Sequence, residues 1–346
     1  MSLTRFPGFI DVHVHLREPG ATNKEDFTSG SRAAVKGGFT YVLDMPNNPG
    51  APTITPERLE EKIRLAGQKA ICDVGFHYGT DGHNVNTFPT VWQNPYVYGL
   101  KAYCDHTTGE LLIEDEMQLE HVFKAWNSEK PILVHGQGET LSTCIELAQT
   151  FARRLHVCHV ATKEDVEVIR EAKKKKQLVT AGITLHHLFL SPADVKRLGN
   201  FALVKPEIGG KEDQNILWEA LQDGTIDLVE SDHAPHTKKE KKRTSPPFGV
   251  PGLETTLGLL WKAVHEGKLE QADIIRLLYD NPKKIFNIPD QPATYIALDP
   301  KKPYVVGHDG YETKCGWSPF DGWELYGKAE TVVLRGKTLV QAGRLV

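Results

Sequence analysis

Long apolar runs are missing from this 346-residue chain: no stretch approaches the about 18 residues that a membrane span requires, and the N-terminus has no signal-peptide pattern. Charge of one sign is missing too. With 41 basic against 45 acidic residues the net charge is −4, too small for its length to mark nucleic acid or an anionic membrane as the main partner. Two basic runs, 173–176 and 238–243, read as a solvated helix end and a mobile loop. The five cysteines, Cys72, Cys104, Cys144, Cys158 and Cys315, are scattered and odd in number, and no Cys-x-x-Cys occurs among them. That excludes both a disulfide framework and a thiolate zinc site, and it suits reduced thiols in a cytoplasmic protein. Internal repeats and low-complexity tracts are absent as well.

What is present is a regular alternation. Short apolar, often β-branched runs fall at 9–14, 39–44, 71–76, 97–103, 131–135, 155–159, 178–183 and 226–230, which makes eight candidate strands. Segments of helical spacing lie between and after them, for instance 56–69, 114–126, 139–152, 163–175, 214–222, 253–266 and 273–278. Two helix starts carry caps, at Thr55-Pro56 and at Thr162 before Glu164 and Asp165. Strands apolar enough to be buried on both faces, each followed by a helix, predict an α/β fold, a parallel (β/α)8 barrel of the TIM type over residues 7–290. A doubly wound open sheet is the runner-up, but no Gly-x-Gly-x-x-Gly follows the first strand. After residue 290 the helical spacing stops. Residues 291–346, with 1–6, are expected to form a small β subdomain from short strands near 294–299, 304–306, 330–335 and 338–346.

The 15 histidines carry more information than the cysteines. Asp11-Val12-His13-Val14-His15 ends the first apolar run, and strand alternation would put His13 and His15 on one face. Alone, the pair is equally compatible with a strand end that has one bonded and one exposed imidazole. In a (β/α)8 barrel, however, chemistry sits at the C-terminal strand ends, and there the chain supplies His135, His159 and Asp232 as well. Imidazole and carboxylate suit zinc or a similar divalent ion, and five such ligands exceed what one tetrahedral ion needs, which suggests a pair. Lys101, inside the fourth strand, is the odd member. Either it points outward to pair with a carboxylate such as Asp105, or its charge has been removed, as a carbamate formed with carbon dioxide.

The motifs Asp11 to Gly20, Met45-Pro46-Asn47, Gly99-Leu100-Lys101, Cys158-His159-Val160, Ser231 to His236 and Pro251-Gly252-Leu253-Glu254-Thr255 together resemble the dihydroorotases, of the binuclear metal-dependent amidohydrolases. The likeness is to the form found in bacteria and in the multifunctional pyrimidine-synthesis protein of animals, and it runs from residue 7 to about 290. It implies two Zn2+ ions bridged by N6-carboxylated Lys101 and a hydroxide, one ion on His13, His15 and Asp232 and the other on His135 and His159. It further implies that Arg17, Asn47 and His236 bind a substrate carboxylate, that Lys205 contributes main-chain contacts to the substrate ring, and that Asp232 carries the catalytic proton. Asn47 in Met-Pro-Asn-Asn-Pro also reads as a simple turn former. The threonines of the segment 105–110 have two readings, donors to bound substrate or members of a solvated turn. The implied reaction is reversible hydrolysis of dihydroorotate to N-carbamoyl-aspartate. The implied partners are that small-molecule substrate, a second copy of the chain, or an associated aspartate transcarbamoylase.

Three places depart from the family's pattern: His135-Gly136-Gln137 where His-Ala-Glu is usual, Leu185-His186-His187 for Pro-His-His, and Lys205-Pro206-Glu207 for Arg-Pro-Glu. None removes a metal ligand, so they bear on substrate fit and turnover. Two rival functions follow. Hydantoinases, dihydropyrimidinases and allantoinases share the metal set but act on substrates without the carboxylate that Arg17 would bind. A scaffold that has lost turnover and serves pathway partners by contact is the other.

Overall fold

The computed structural model describes residues 3–107 and 109–346, so Met1, Ser2 and Thr108, one of the two threonines of the 105–110 segment, lie outside the described residues. A short β1 (Thr4–Phe6) leads into the barrel strands β2 (Phe9–Val14), β3 (Phe39–Asp44), β4 (Asp73–Gly79), β5 (Val97–Tyr103), β6 (Ile132–His135), β7 (Leu155–Val157), β8 (Val179–Ile183) and β9 (Leu228–Val229). They form one eight-stranded sheet in sequence order, every neighbouring pair parallel. Closure from the last strand to the first is made by a parallel bridge between Val14 and His233, with the His15 N–H donating to the His233 carbonyl at 2.8 Å. The expected (β/α)8 barrel is therefore what this chain forms.

The barrel follows from the composition of its strands. Every residue of β2, β3, β5 and β6 is buried, as strands covered by helices outside and by a packed interior must be. Ile10, Val12, Tyr41, Leu43, Tyr98, Leu133 and Leu228 pack together with Ile285, Phe286 and Ile288. Arg154, just before β7, donates to the Ile285 carbonyl at 2.7 Å, which puts this apolar plug at the N-terminal strand ends and leaves the opposite rim for polar groups. The helices start on capping residues, at Thr55 as its cap predicts. Helix α1 (Phe27–Lys36) has a capping box between Asp26 and Ser29. Helix α2 (Pro56–Lys69) starts on Thr55, whose hydroxyl accepts the Arg58 N–H at 3.3 Å.

Beyond the barrel, β10 (Tyr295–Leu298), β11 (Pro303–Val305), β12 (Glu324–Tyr326), β13 (Ala329–Leu334), β14 (Lys337–Gln341) and β15 (Arg344–Leu345) complete the chain. An antiparallel sheet runs β1-β10-β13-β14-β15, and β11 pairs with β12. This sheet is tied to the barrel by an Arg335 fork on Asp73, at 2.8 and 2.6 Å, and the connection between β11 and β12 by Glu254, which accepts the N–H groups of Glu312 and Thr313 at 3.1 Å each. No helix among the described residues is long and apolar enough to cross a membrane.

Three local expectations are corrected. The third barrel strand starts at Asp73 and runs on to Gly79, later than the apolar run at 71–76 implies. The run at 226–230 yields only Leu228–Val229 as strand, because the chain turns toward Asp232, whose φ is +42°. The basic run at 238–243 is not a mobile loop. Lys238–Lys241 is a helical turn capped by Thr237, and the buried Lys241 ammonium donates to the carbonyls of Leu203, Pro247 and Gly249 at 3.1, 3.0 and 3.0 Å.

Candidate metal centre and substrate cleft

At the C-terminal rim of the barrel, β2 and the turn after it bring His13, His15 and Arg17 together, β5 supplies Lys101, and β6 ends on His135. His159 and Asp232 follow β7 and β9 on short turns. Both residues, and Arg17, occupy the left-handed backbone region, with φ of +37°, +42° and +62°. Non-glycine residues there cost about 1–3 kcal/mol each, and such strain is concentrated where side chains must be aimed. His159, Asp232 and Arg17 thus reach the rim by tight turns.

The imidazoles and the carboxylate interlock. Asp232 Oδ1 lies 3.1 Å from His15 Nε2 and 3.4 Å from His13 Nε2. His135 Nδ1 lies 3.1 Å from His159 Nε2, and the His13 and His159 ring centres are 5.2 Å apart. Lys101 is fully buried, with its nitrogen 3.0 Å from Cys158 Sγ and 5.0 Å from the centre of the Tyr103 ring. Among the described residues no carboxylate is within ion-pair distance of it, and Asp105 instead accepts the Gln137 N–H at 2.7 Å.

His15, His135, His159 and Asp232 are in the states that a divalent ion requires, whereas His13, which the Glu230 and Asp232 carboxylates hold protonated, gives up its proton to bind one. Burial pushes His15 and His135 down to about 3 and holds His159 well below the usual imidazole range, so all three are neutral donors. Burial alone would raise Asp232, but the charges and hydrogen bonds of His13 and His15 outweigh it and keep the carboxylate ionised. The buried His159 Nδ1 has no hydrogen-bond partner among the described residues, and His13, His15 and Asp232 each offer a ligand atom within 4.8 Å of the others. The donor set fits a pair of divalent ions on chemical grounds.

A cleft opens over this centre. His13, His15, His135, His159 and Asp232 form its polar floor; Arg17, Asn47, Tyr103, Thr107, Lys205, Phe248 and Gly249 line the rest. Asn47 accepts from His15 Nδ1 at 2.8 Å. Lys205 stands at the edge in an ion pair with Glu207 at 2.7 Å. His236 does not line the cleft. It lies behind Arg17, its Nε2 donating to the Phe248 carbonyl at 2.8 Å and its Nδ1 3.2 Å from the Lys24 ammonium. Burial, then the charges of Arg17, Lys24 and Lys241, keep it neutral.

One residue escaped the sequence reading. Glu230 is wholly buried under the site with Oε2 3.2 Å from His13 Nδ1, and it also accepts the His159 backbone N–H. With Cys158 and His13 it makes a second group of potential ligands. A carboxylate closing the otherwise apolar run Ile226 to Val229 was the available signal.

Residues 4–292 match the family model described as the amidohydrolase family. Over 99% of its length the chain is 42% identical to the multifunctional protein CAD of Squalus acanthias, of which it spans only 15%. It is 31% identical over 98% of its length to a dihydroorotase of Pyrococcus abyssi, of which it covers 84%. Among solved structures, an L-hydantoinase (dihydropyrimidinase) from Arthrobacter aurescens superposes with a TM-score of 0.94 at 24% identity, covering 99% of this chain and 87% of that one. The inactive dihydroorotase-like domain of a CAD-like multifunctional protein from Chaetomium thermophilum superposes at 0.84 with 25% identity, covering 100% and 97%.

Proposed function

Since the chain belongs to the amidohydrolase family, we propose that it is a dihydroorotase, hydrolysing the ring amide of dihydroorotate to N-carbamoyl-aspartate and closing that ring in reverse. The observation that carries this reading is the placement of Arg17 in the wall of the same cleft whose floor is the histidine and Asp232 cluster. A buried guanidinium facing a metal centre suits a cyclic amide that bears a carboxylate, because its planar fork binds that group through two hydrogen bonds. Hydantoins and dihydropyrimidines offer it no such partner.

In this reading His13, His15 and Asp232 would hold one ion, His135 and His159 the other, and Lys101 as a carbamate would join both. When bound, a pair of zinc ions polarises an amide carbonyl and makes water a nucleophile at neutral pH. The chain's own residues do the rest. Arg17 and Asn47 grip the carboxylate and fix the ring, and Tyr103 and Phe248 wall the cleft against bulk water. Asp232, ionised and at the floor, takes the proton from the attacking water and delivers it to the ring nitrogen as the C–N bond breaks.

The product of this chemistry in the hydrolytic direction is the compound that carbamoyl transfer to aspartate makes. A cytoplasmic association with an aspartate transcarbamoylase, or self-association, therefore accompanies the proposal. The likeness to an inactive dihydroorotase-like domain favours a second reading, a scaffold without turnover, against which the retention of all six candidate ligands weighs. Metal content and dihydroorotate turnover measured on one sample separate them: two ions with turnover support the enzyme, whereas two ions without turnover on any cyclic amide support the scaffold.

A further inference from the structure

One buried ion pair joins the two segments that carry Arg17 and Asn47. Lys62 belongs to α2, yet it is completely buried and its ammonium meets three oxygens: the Asp44 carboxylate at 2.8 Å, the Met45 carbonyl at 2.7 Å and the Asn48 side-chain oxygen at 2.8 Å. Asp44, the last residue of β3, uses its other oxygen to accept the Leu16 N–H at 2.8 Å. Leu16 stands between His15 and Arg17, and Met45 and Asn48 bracket Asn47. The Asn48 amide in turn donates to the Pro19 carbonyl at 3.0 Å. A single ammonium, through two hydrogen bonds and one ion pair, therefore fixes the turn after β2 to the turn after β3.

Stability gives little reason to keep such a pair. Burying an ammonium and a carboxylate costs roughly as much as their attraction returns, and apolar residues of similar size are often as stable or more so. What apolar packing would not supply is hydrogen-bonded register between two turns, which is what the two polar arms of one carboxylate grip need.

We propose that Lys62, acting through Asp44, is a positioning residue that sets the spacing of Arg17 and Asn47 and so determines the preference for a cyclic amide bearing a carboxylate. The inference rests on the dihydroorotate reading of the cleft. Lys62 touches neither substrate nor candidate metal ligands, so its loss acts first on recognition of the carboxylate.

The test compares wild type with Lys62→Met and with the double variant Lys62→Met/Asp44→Asn. The double variant keeps an acceptor for the Leu16 N–H and leaves no unpaired buried charge, so it stays informative where the single variant fails to fold. For each, metal content, kcat and KM for dihydroorotate, and inhibition by dihydrouracil, the same ring without the carboxylate, are measured. The expected result is unchanged metal content, a KM for dihydroorotate raised about 10-fold or more with a much smaller change in kcat, and dihydrouracil inhibition within about 2-fold of wild type. Equal weakening of both ligands, or an unchanged KM in the double variant, overturns the proposal. Wild-type protein that turns over dihydrouracil in preference to dihydroorotate overturns the reading of the function instead. In that event a crystal structure of the double variant decides the positioning role: an Arg17 to Asn47 separation equal to that of wild type refutes it.

Discussion

Glu230 Oε2 lies 3.2 Å from Nδ1 of His13, on the edge of the ring opposite the Nε2 that faces Asp232 at 3.4 Å. Burial opposes a charge on His13, but the carboxylates of Glu230 and Asp232 outweigh it and raise the imidazole to about 10. A carboxylate behind a ligand histidine fixes its tautomer and makes it a stronger donor. Because Glu230 also holds the His159 backbone N–H, it braces one candidate ligand of each ion.

Glu230→Gln is therefore expected to keep the fold while weakening metal binding about 10- to 100-fold, the usual effect of losing such an outer carboxylate. Competition against a chromogenic chelator reads this directly, and an affinity equal to wild type would show that Glu230 is a passive filler. Gly182→Ala tests the same contact from the other side. A Cβ there would sit 2.8 Å from the Glu230 carboxyl carbon, so this small substitution should displace Glu230 and reproduce part of the metal defect.

Lys101→Ala should abolish binding of the ion pair. A buried amine whose neighbours are a thiol and an aromatic face has no carboxylate within ion-pair reach among the described residues, and loss of its charge as a carbamate relieves the cost of burying it. Metal counting on the variant, with and without a short carboxylic acid to stand in for the carbamate, is the check, together with the mass of a carbon dioxide adduct on wild-type Lys101. Full metal occupancy in Lys101→Ala would remove the bridging role.

Much of this site was legible because side-chain chemistry and strand ends coincide in sequence. His13, Lys101 and His135 lie within strands whose apolar runs announce them, and β2, β3 and β5 span the residues that those runs suggested. What could not be read depends on turns and on distant partners. Asp232 and His159 were readable as rim residues but not the positive-φ turns that carry them there, and His236 is drawn behind Arg17 by the Phe248 carbonyl. Lys241 looks like one more solvated lysine in a basic run until the carbonyls of Leu203, Pro247 and Gly249 close around it. The Lys62 anchor is invisible for the same reason, since its acceptors belong to a different element.

Asp232→Asn should lower kcat by at least about 100-fold, the smaller end of what a positioned general base contributes. The amide cannot take the proton that the mechanism assigns to Asp232, and it is a poorer ligand between His13 and His15. Turnover and metal content are to be read on the same sample. A variant that keeps both ions and near-normal turnover would show that the proton travels by another route.

Glu254 gives the molecule a pH dependence that lies away from the metal centre. Burial is the main cause and raises its carboxyl to about 7, against the Glu312 and Thr313 N–H bonds that lower it. In the unfolded chain the same group titrates near about 4.3. Between those values the folded state binds more protons than the unfolded one, so the contribution to stability is complete below about pH 4 and is lost as pH rises to about 7. A shift of this size corresponds to roughly 4 kcal/mol at about 1.4 kcal/mol per pKa unit. Glu254→Gln holds the group neutral and keeps one oxygen as an acceptor, so it should remove this dependence: the melting temperature of wild type should fall relative to the variant between pH 5 and pH 8. Melting curves of the two proteins across that range check it, and a constant difference between them would mean that Glu254 stays ionised throughout, satisfied by its two backbone donors.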